Sequence, residues 1–296
     1  SGNGSNGSTI INIEGGTITA EGGGKENGSC QASGAGIGSG GNALNKTTIN
    51  IKGGEITATG GVSLDSRNHS DKWLSGAGIG SGSNVSGETE INISGDSTIK
   101  SASGGKYGGA GIGSGSYSGS KPNNQKGAVT INITDGTIEK ATGGGEYVPS
   151  SKRWYSGAGI GAGLNAGTTT INIKDNAHIV SATGGKYGGA GIGSGYYGRS
   201  STVNISGDAE LKDVRGGNLA AGIGSGYGSD KVDVVIDGGT INATGGFNAA
   251  GIGSGDNGPS SVTIKSGTVN ATGNGTGAGI GGSYSGDSSK ITITGG

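Results

Sequence analysis

Methionine is absent from the 296 residues, even at the first position, and cysteine occurs once, at Cys30. A chain with no initiating methionine is expected to be a segment of a longer secreted protein. One thiol excludes an internal disulfide framework and a cysteine-based zinc site. Charge of either sign is scarce and balanced, with 20 basic and 21 acidic residues and a net charge of -1. That balance argues against a general polyanion binder, so no nucleic-acid partner is expected. No run of about 18 apolar residues occurs, so membrane insertion is not expected either.

Glycine is what the chain has in excess, 75 residues against a hydrophobic content of 29%. Collagen needs glycine at every third position, and stretches such as TTINIKGGEITATGG (47–61) break that rule. A disordered linker would lack the recurring Ile and Val seen here. The apolar residues are few but follow a schedule.

The schedule is a repeat. GAGIGSG at Gly34 returns at Gly76, Gly109 and Gly189, as GAGIGAG at Gly157, as AAGIGSG at Ala220 and Ala249, and as GAGIGG at Gly277. Its isoleucines fall at 37, 79, 112, 160, 192, 223, 252 and 280. Ahead of each lies an apolar–polar–apolar triplet, such as Ile49-Asn50-Ile51, the mark of a strand with one buried face. A turn of Gly, Asp or Asn follows, then a second strand such as Thr240-Ile241-Asn242-Ala243. The expected fold is all-β: one parallel β-helix (β-solenoid) over residues 1–296, right-handed by the general crossover preference. It should have three short strands per rung, about eight rungs and a final strand, stacked at about 4.8 Å. One rung cannot bury its own apolar stripe, so stability must come from stacking.

In the heptad, alternation puts Ala35 and Ile37 toward the core and Gly34, Gly36, Gly38 and Gly40 outward. Stacked, these glycines would form an open wall that another backbone can approach closely, which suggests self-association through the glycine-rich face.

The repeat is broken in two ways. Four second strands carry one extra residue (TIKSASGG, TIEKATGG, HIVSATGG and ELKDVRGG), as a β-bulge would. Their outward positions turn charged, with Lys100, Glu139, Lys140, His178, Glu210, Lys212 and Asp213 replacing Thr and Asn. The plain reading is a solvated face; the sharper one is a glycoside hydrolase or polysaccharide lyase using Glu139, His178 and Glu210. A glycosidase needs two carboxylates about 5–9.5 Å apart, and Glu139 and Glu210 are expected in one column. The corner after the second strand also swells, to Val62–Ser75 and to Gly145–Ser156. Two rungs of separation place these loops roughly 10 Å apart.

Aromatic residues are rare and avoid the strands. Trp73, Tyr107, Tyr147, Trp154, Tyr155, Tyr187 and Phe247 occupy this corner, and the remaining tyrosines, 117, 196, 197, 227 and 284, occupy the next. Rings ordinarily build cores. Kept for loops, they either cover the glycine-rich sheet or form a platform for sugars. Lys72, Lys106, Arg153 and Lys186 stand among them to bind hydroxyls or acidic groups.

Other chemistries fit less well. The turn acids Asp96, Asp135, Asp175, Asp208 and Asp237 suit turn formation better than a calcium site, and no cofactor is expected. His69 and His178 lack cysteine partners for zinc. The heptad's GxGxG has no helix after it to make a phosphate loop. A threonine row of the kind that binds ice is interrupted by charge.

The combination TINIKGG, ITATGG and GAGIGSG resembles the glycine-rich repeat regions of secreted, cell-wall-attached proteins of Gram-positive bacteria, especially clostridial gut types. The resemblance implies an extracellular setting on a bacterial surface and a carbohydrate-binding or adhesin role. It carries over no catalytic residue. The expected function is therefore glycan binding through the ring-lined corner, with the enzyme and a purely structural stalk as alternatives.

Overall fold

The computed structural model describes residues 8–25, 32–65, 72–118, 127–149, 152–285 and 289–295. Cys30 and His69 lie outside them, and only the backbone of Asp65 and Lys72 is described. The chain is a parallel β-solenoid of eight rungs and a final strand, Lys290–Ile293. Rung one consists of Thr9–Ile13, Thr17–Glu21 and Ile37–Gly38; rung two of Thr47–Ile51, Glu55–Thr59 and Ile79–Gly80. Successive rungs stay in register, Ile49 beside Ile91 and Ile131 beside Ile171. From rung six onward the first and second strands run together, as in Val232–Phe247.

Alternation explains the core. Rung two sends Ile49, Ile51, Ile56, Ala58 and Ile79 into one cluster, all fully buried. The cluster holds only Ile, Val, Leu and Ala, without a single ring. Each buried Ile contributes roughly 1.5–3 kcal/mol, and only because a neighbour above and below covers it. On the outer side of the first strand, Asn50 Nδ2 donates to Asn12 Oδ1 at 2.8 Å, and Asn92, Asn132, Asn172 and Asn204 continue the ladder at 2.8–2.9 Å.

The expected bulges are present. The register shifts between Ile99 and Ser101 and again between Leu211 and Val214, so two residues face one at these points. This changes the charged face. Glu210 pairs in register with His178, and His178 with Thr137, whereas Glu139 lies two residues further on, inside the bulge. Glu139 and Glu210 therefore do not share a column. Two rungs and two residues separate their backbones by about 12 Å.

The heptad departs further from expectation. Only its Ile and the following Gly form strand, and the loop closes on itself: Ala77 N–H donates to the Ser81 carbonyl at 3.0 Å, with equivalent bonds in every rung. The isoleucine at the apex reaches the core cluster; the alanine is buried outside it. The glycines do not form an open wall. Gly76 to Gly82 are buried, and a Cβ on Gly78 would stand 2.7 Å from the Gly111 carbonyl and from the Ser103 amide. Gly80 has φ 137°, which L side chains rarely adopt. Glycine is required here because backbone packs on backbone, and the face expected to meet a second copy is closed by the chain's own corners.

Candidate functional site

Because the heptad folds back, the segment before it and the segment after it lie side by side. Ser75 ends one corner and Ser156 its counterpart two rungs on. The Tyr107 amide donates to Ser75 Oγ at 2.9 Å and the Tyr187 amide to Ser156 Oγ at 3.1 Å. The Ser75 carbonyl accepts from Ser116 N–H and the Ser156 carbonyl from Tyr196 N–H. These two serines hold the backbone from which the rings project, a role that no sequence pattern assigns them.

Both swollen corners are antiparallel hairpins. Val62–Asp65 pairs with Lys72–Ser75, and Gly145–Val148 pairs with Arg153–Ser156. They spring from rungs two and four, as their spacing predicts. Trp73 leans onto Tyr107, ring centroids 4.4 Å apart, and Tyr107 meets Tyr155 edge-on at 6.2 Å. In the second hairpin Tyr147 meets Trp154 at 4.9 Å, and Trp154 stacks on Tyr187 at 4.3 Å with planes 7° apart. Lys106 Nζ sits 4.9 Å from the Tyr107 ring centre and Lys186 Nζ 6.0 Å from that of Trp154, at cation–π range. Arg153 is exposed, across from Val148 in the hairpin. Lys72 is in the first hairpin, but its side chain lies outside the described part of the structure.

Much of the ring surface is thus spent on other rings. Among the described rings the column of the two hairpins breaks between Tyr107 and Tyr147. There an open cleft of about 500 Å³ lies between the hairpins, lined by Trp73, Lys106, Tyr107, Glu146, Tyr147, Val148 and Pro149. Tyr107 forms a buried floor, 6% exposed, while Tyr147 is 40% exposed. The indole Nε1 of Trp73 is buried without a hydrogen-bond partner among the described residues. Glu146, Val148 and Pro149 were not singled out by sequence, although they share a loop with Trp154. Trp154, Tyr155, Tyr187, Arg153 and Lys186 stand beside the cleft rather than in it.

The second aromatic corner is not separate. Tyr196 and Tyr227 stack at 5.0 Å, and a Cβ on Gly188, next to Tyr187, would fall 2.7 Å from the Tyr196 ring. Burial first, then the neighbouring Tyr197, Tyr227 and Tyr187 groups, push the Tyr196 phenol well above its ordinary range.

The charged face pairs its own groups. Lys100 Nζ lies 2.7 Å from Glu139 and 3.5 Å from Glu55. His178 Nδ1 lies 2.8 Å from Glu210, which Lys212 approaches at 3.7 Å. The three residues considered for catalysis fall into two separate contact groups, Glu139 with Lys100 and His178 with Glu210, on a half-exposed surface. Among the described residues no three His, Cys, Asp or Glu side chains gather as a metal site would require, and no helix is long and apolar enough to cross a membrane.

A beta helix repeat family matches residues 11–41, 49–83, 91–116, 131–164, 171–196, 234–256 and 262–284, well over half of the chain. The matched stretches begin at the first strand of a rung and end just past the heptad. Rung six is left unmatched, yet Val203 keeps register with Ile171 below and Val234 above. No curated protein and no solved structure shows a significant match.

Proposed function

We propose that the chain, which belongs to the beta helix repeat family, is a glycan-binding module of a bacterial cell surface, and that it takes a sugar ring into the cleft between its two hairpins. The observation that carries this reading is the interruption of the ring column. Trp73 leans onto Tyr107, and Tyr147, Trp154 and Tyr187 follow one another; between Tyr107 and Tyr147 the described rings leave a gap that is itself lined by rings. A cleft of about 500 Å³ is in the ordinary range for a small ligand site. Sugars have apolar C–H faces and polar rims, and the lining supplies both kinds of partner. Trp73, Tyr107 and Tyr147 offer ring surface, and Lys106 and Glu146 offer a donor and an acceptor.

The test is a glycan array covering plant, host and microbial polysaccharides, probed with the unmodified protein and with Trp73→Ala and Tyr147→Ala. Both variants should lose the signal. Equal binding by all three removes the cleft as the site.

A further inference from the structure

Six of the eight turns that follow a heptad carry one residue with positive φ, whereas Tyr117 takes the same place on rung three without it. The positive-φ residue is Asn42, Asn84, Asn165, Gly228 and Asn257 on five rungs, with φ of 51–59°. Asparagine and glycine tolerate that conformation. On rung five the same position holds Tyr197, with φ 51°. The equivalence is set by hydrogen bonds: the Asn165 amide donates to the Tyr196 carbonyl, the Tyr197 amide to that of Tyr227, and the Gly228 amide to that of Asp256. A bulky residue is held where backbone sterics disfavour it, and such strain points toward function.

The ring of Tyr197 also differs from the others. It lies across Gly228, close enough that a side chain at 228 would overlap it. It meets Tyr196 and Tyr227 near right angles, at 80° and 68°. Part of the ring therefore rests on glycine, it stacks in parallel on no other described ring, and the residue is 51% exposed. Its neighbour Tyr196 lies against Gly188, the residue after Tyr187, whose ring stacks on Trp154 and through it reaches Tyr147. The two places are about two rungs apart along the axis, roughly 10 Å.

We infer that Tyr197 is a second sugar-stacking platform, and that the ligand is an extended glycan chain lying along the solenoid axis, not a single terminal sugar. The inference rests on the reading of the cleft given above. A chain of about three units spans both places, since a pyranose unit is about as long as a rung is deep.

The experiment is a binding titration with cello-, chito-, manno- and oligogalacturonide ladders of one to six units, using the unmodified protein, Trp73→Ala, Tyr197→Asn and Tyr197→Phe. Affinity should rise up to about three units and then level off. Trp73→Ala should weaken every length. Tyr197→Asn should weaken only the longer chains, by about tenfold, while raising the midpoint of thermal unfolding because asparagine suits the turn. Tyr197→Phe should bind as the unmodified protein does. Length-independent binding that still needs Trp73 overturns the extension and leaves the cleft standing, as does full binding of long chains by Tyr197→Asn. No binding of any ladder by the unmodified protein overturns both.

Discussion

The rings of Trp154 and Tyr187 lie face to face, centroids 4.3 Å apart and planes 7° from parallel. Their backbones belong to adjacent rungs, so the rings stack along the axis and tie the second hairpin to rung five. Such a pair is worth about 0.5–1.5 kcal/mol beyond the area it buries. In urea unfolding, Trp154→Ala and Tyr187→Ala should each destabilise the protein. The double variant should fall short of their sum by that amount. Strict additivity would mean the stack contributes nothing.

Glycine in the heptad should be irreplaceable, and Gly15 in the first strand-to-strand turn should not. A Cβ on Gly80 would overlap the Gly113 carbonyl, with φ at 137°. Gly15 has nothing within 4 Å of the corresponding point. Gly80→Ala is expected to cost more than about 4 kcal/mol or to prevent folding, and Gly15→Ala to stay within about 0.5 kcal/mol. Circular dichroism with thermal melting separates the two, and a stable Gly80→Ala protein contradicts the backbone-on-backbone packing.

The asparagine ladder should be cooperative with position. Asn132 both donates to Asn92 and accepts from Asn172, while Asn12 only accepts from Asn50. At about 0.5–1.5 kcal/mol per bond, Asn132→Ala should cost roughly twice what Asn12→Ala does. Equal unfolding midpoints for the two variants would show that the ladder bonds are exchanged for water without loss.

Alkaline stability should depend on Tyr117. Burial pushes its phenol up to about 12, against the opposing effect of the bond its oxygen accepts from the Gly127 amide at 2.9 Å. An unfolded tyrosine ionises at about pH 10. Between these values the unfolded chain holds fewer protons, so stability falls as pH rises. Its contribution is complete below about pH 10 and lost as pH climbs through about 12. Urea midpoints measured across this window should drop, and Tyr117→Phe should flatten the drop. A phenolate titration showing Tyr117 ionised at about pH 10 in the folded protein would sink the assignment.

The fold was largely legible because its signals are local. Ile49-Asn50-Ile51 alternates, Gly53-Gly54 turns, and the heptad recurs, so rungs, first-strand register and the presence of bulges could be read in advance. The heptad's own shape was not. Alternation suggested an extended strand, but the Ala77-to-Ser81 bond and the positive φ of Gly80 depend on the rungs above and below. That one misreading separated Tyr187 from Tyr196, and it placed the glycines outside rather than within. The charged column failed for a related reason. A bulge was expected, yet its effect on register, which moves Glu139 out of line with Glu210, appears only once the strands are paired.

The sequence by itself determined that this is a stacked, aromatic-poor β-solenoid whose rings are kept for its corners, because period-two alternation and a recurring unit constrain each rung to lie on the next. Only the tertiary structure decided which rings spend their faces on one another and which do not. Ring contacts form between rungs more than thirty residues apart in the chain, as between Trp154 and Tyr187 or Trp73 and Tyr107, and their geometry depends on the serines and glycines beneath them. The open gap between Tyr107 and Tyr147 is a consequence of that packing, so no local pattern in the sequence could announce it.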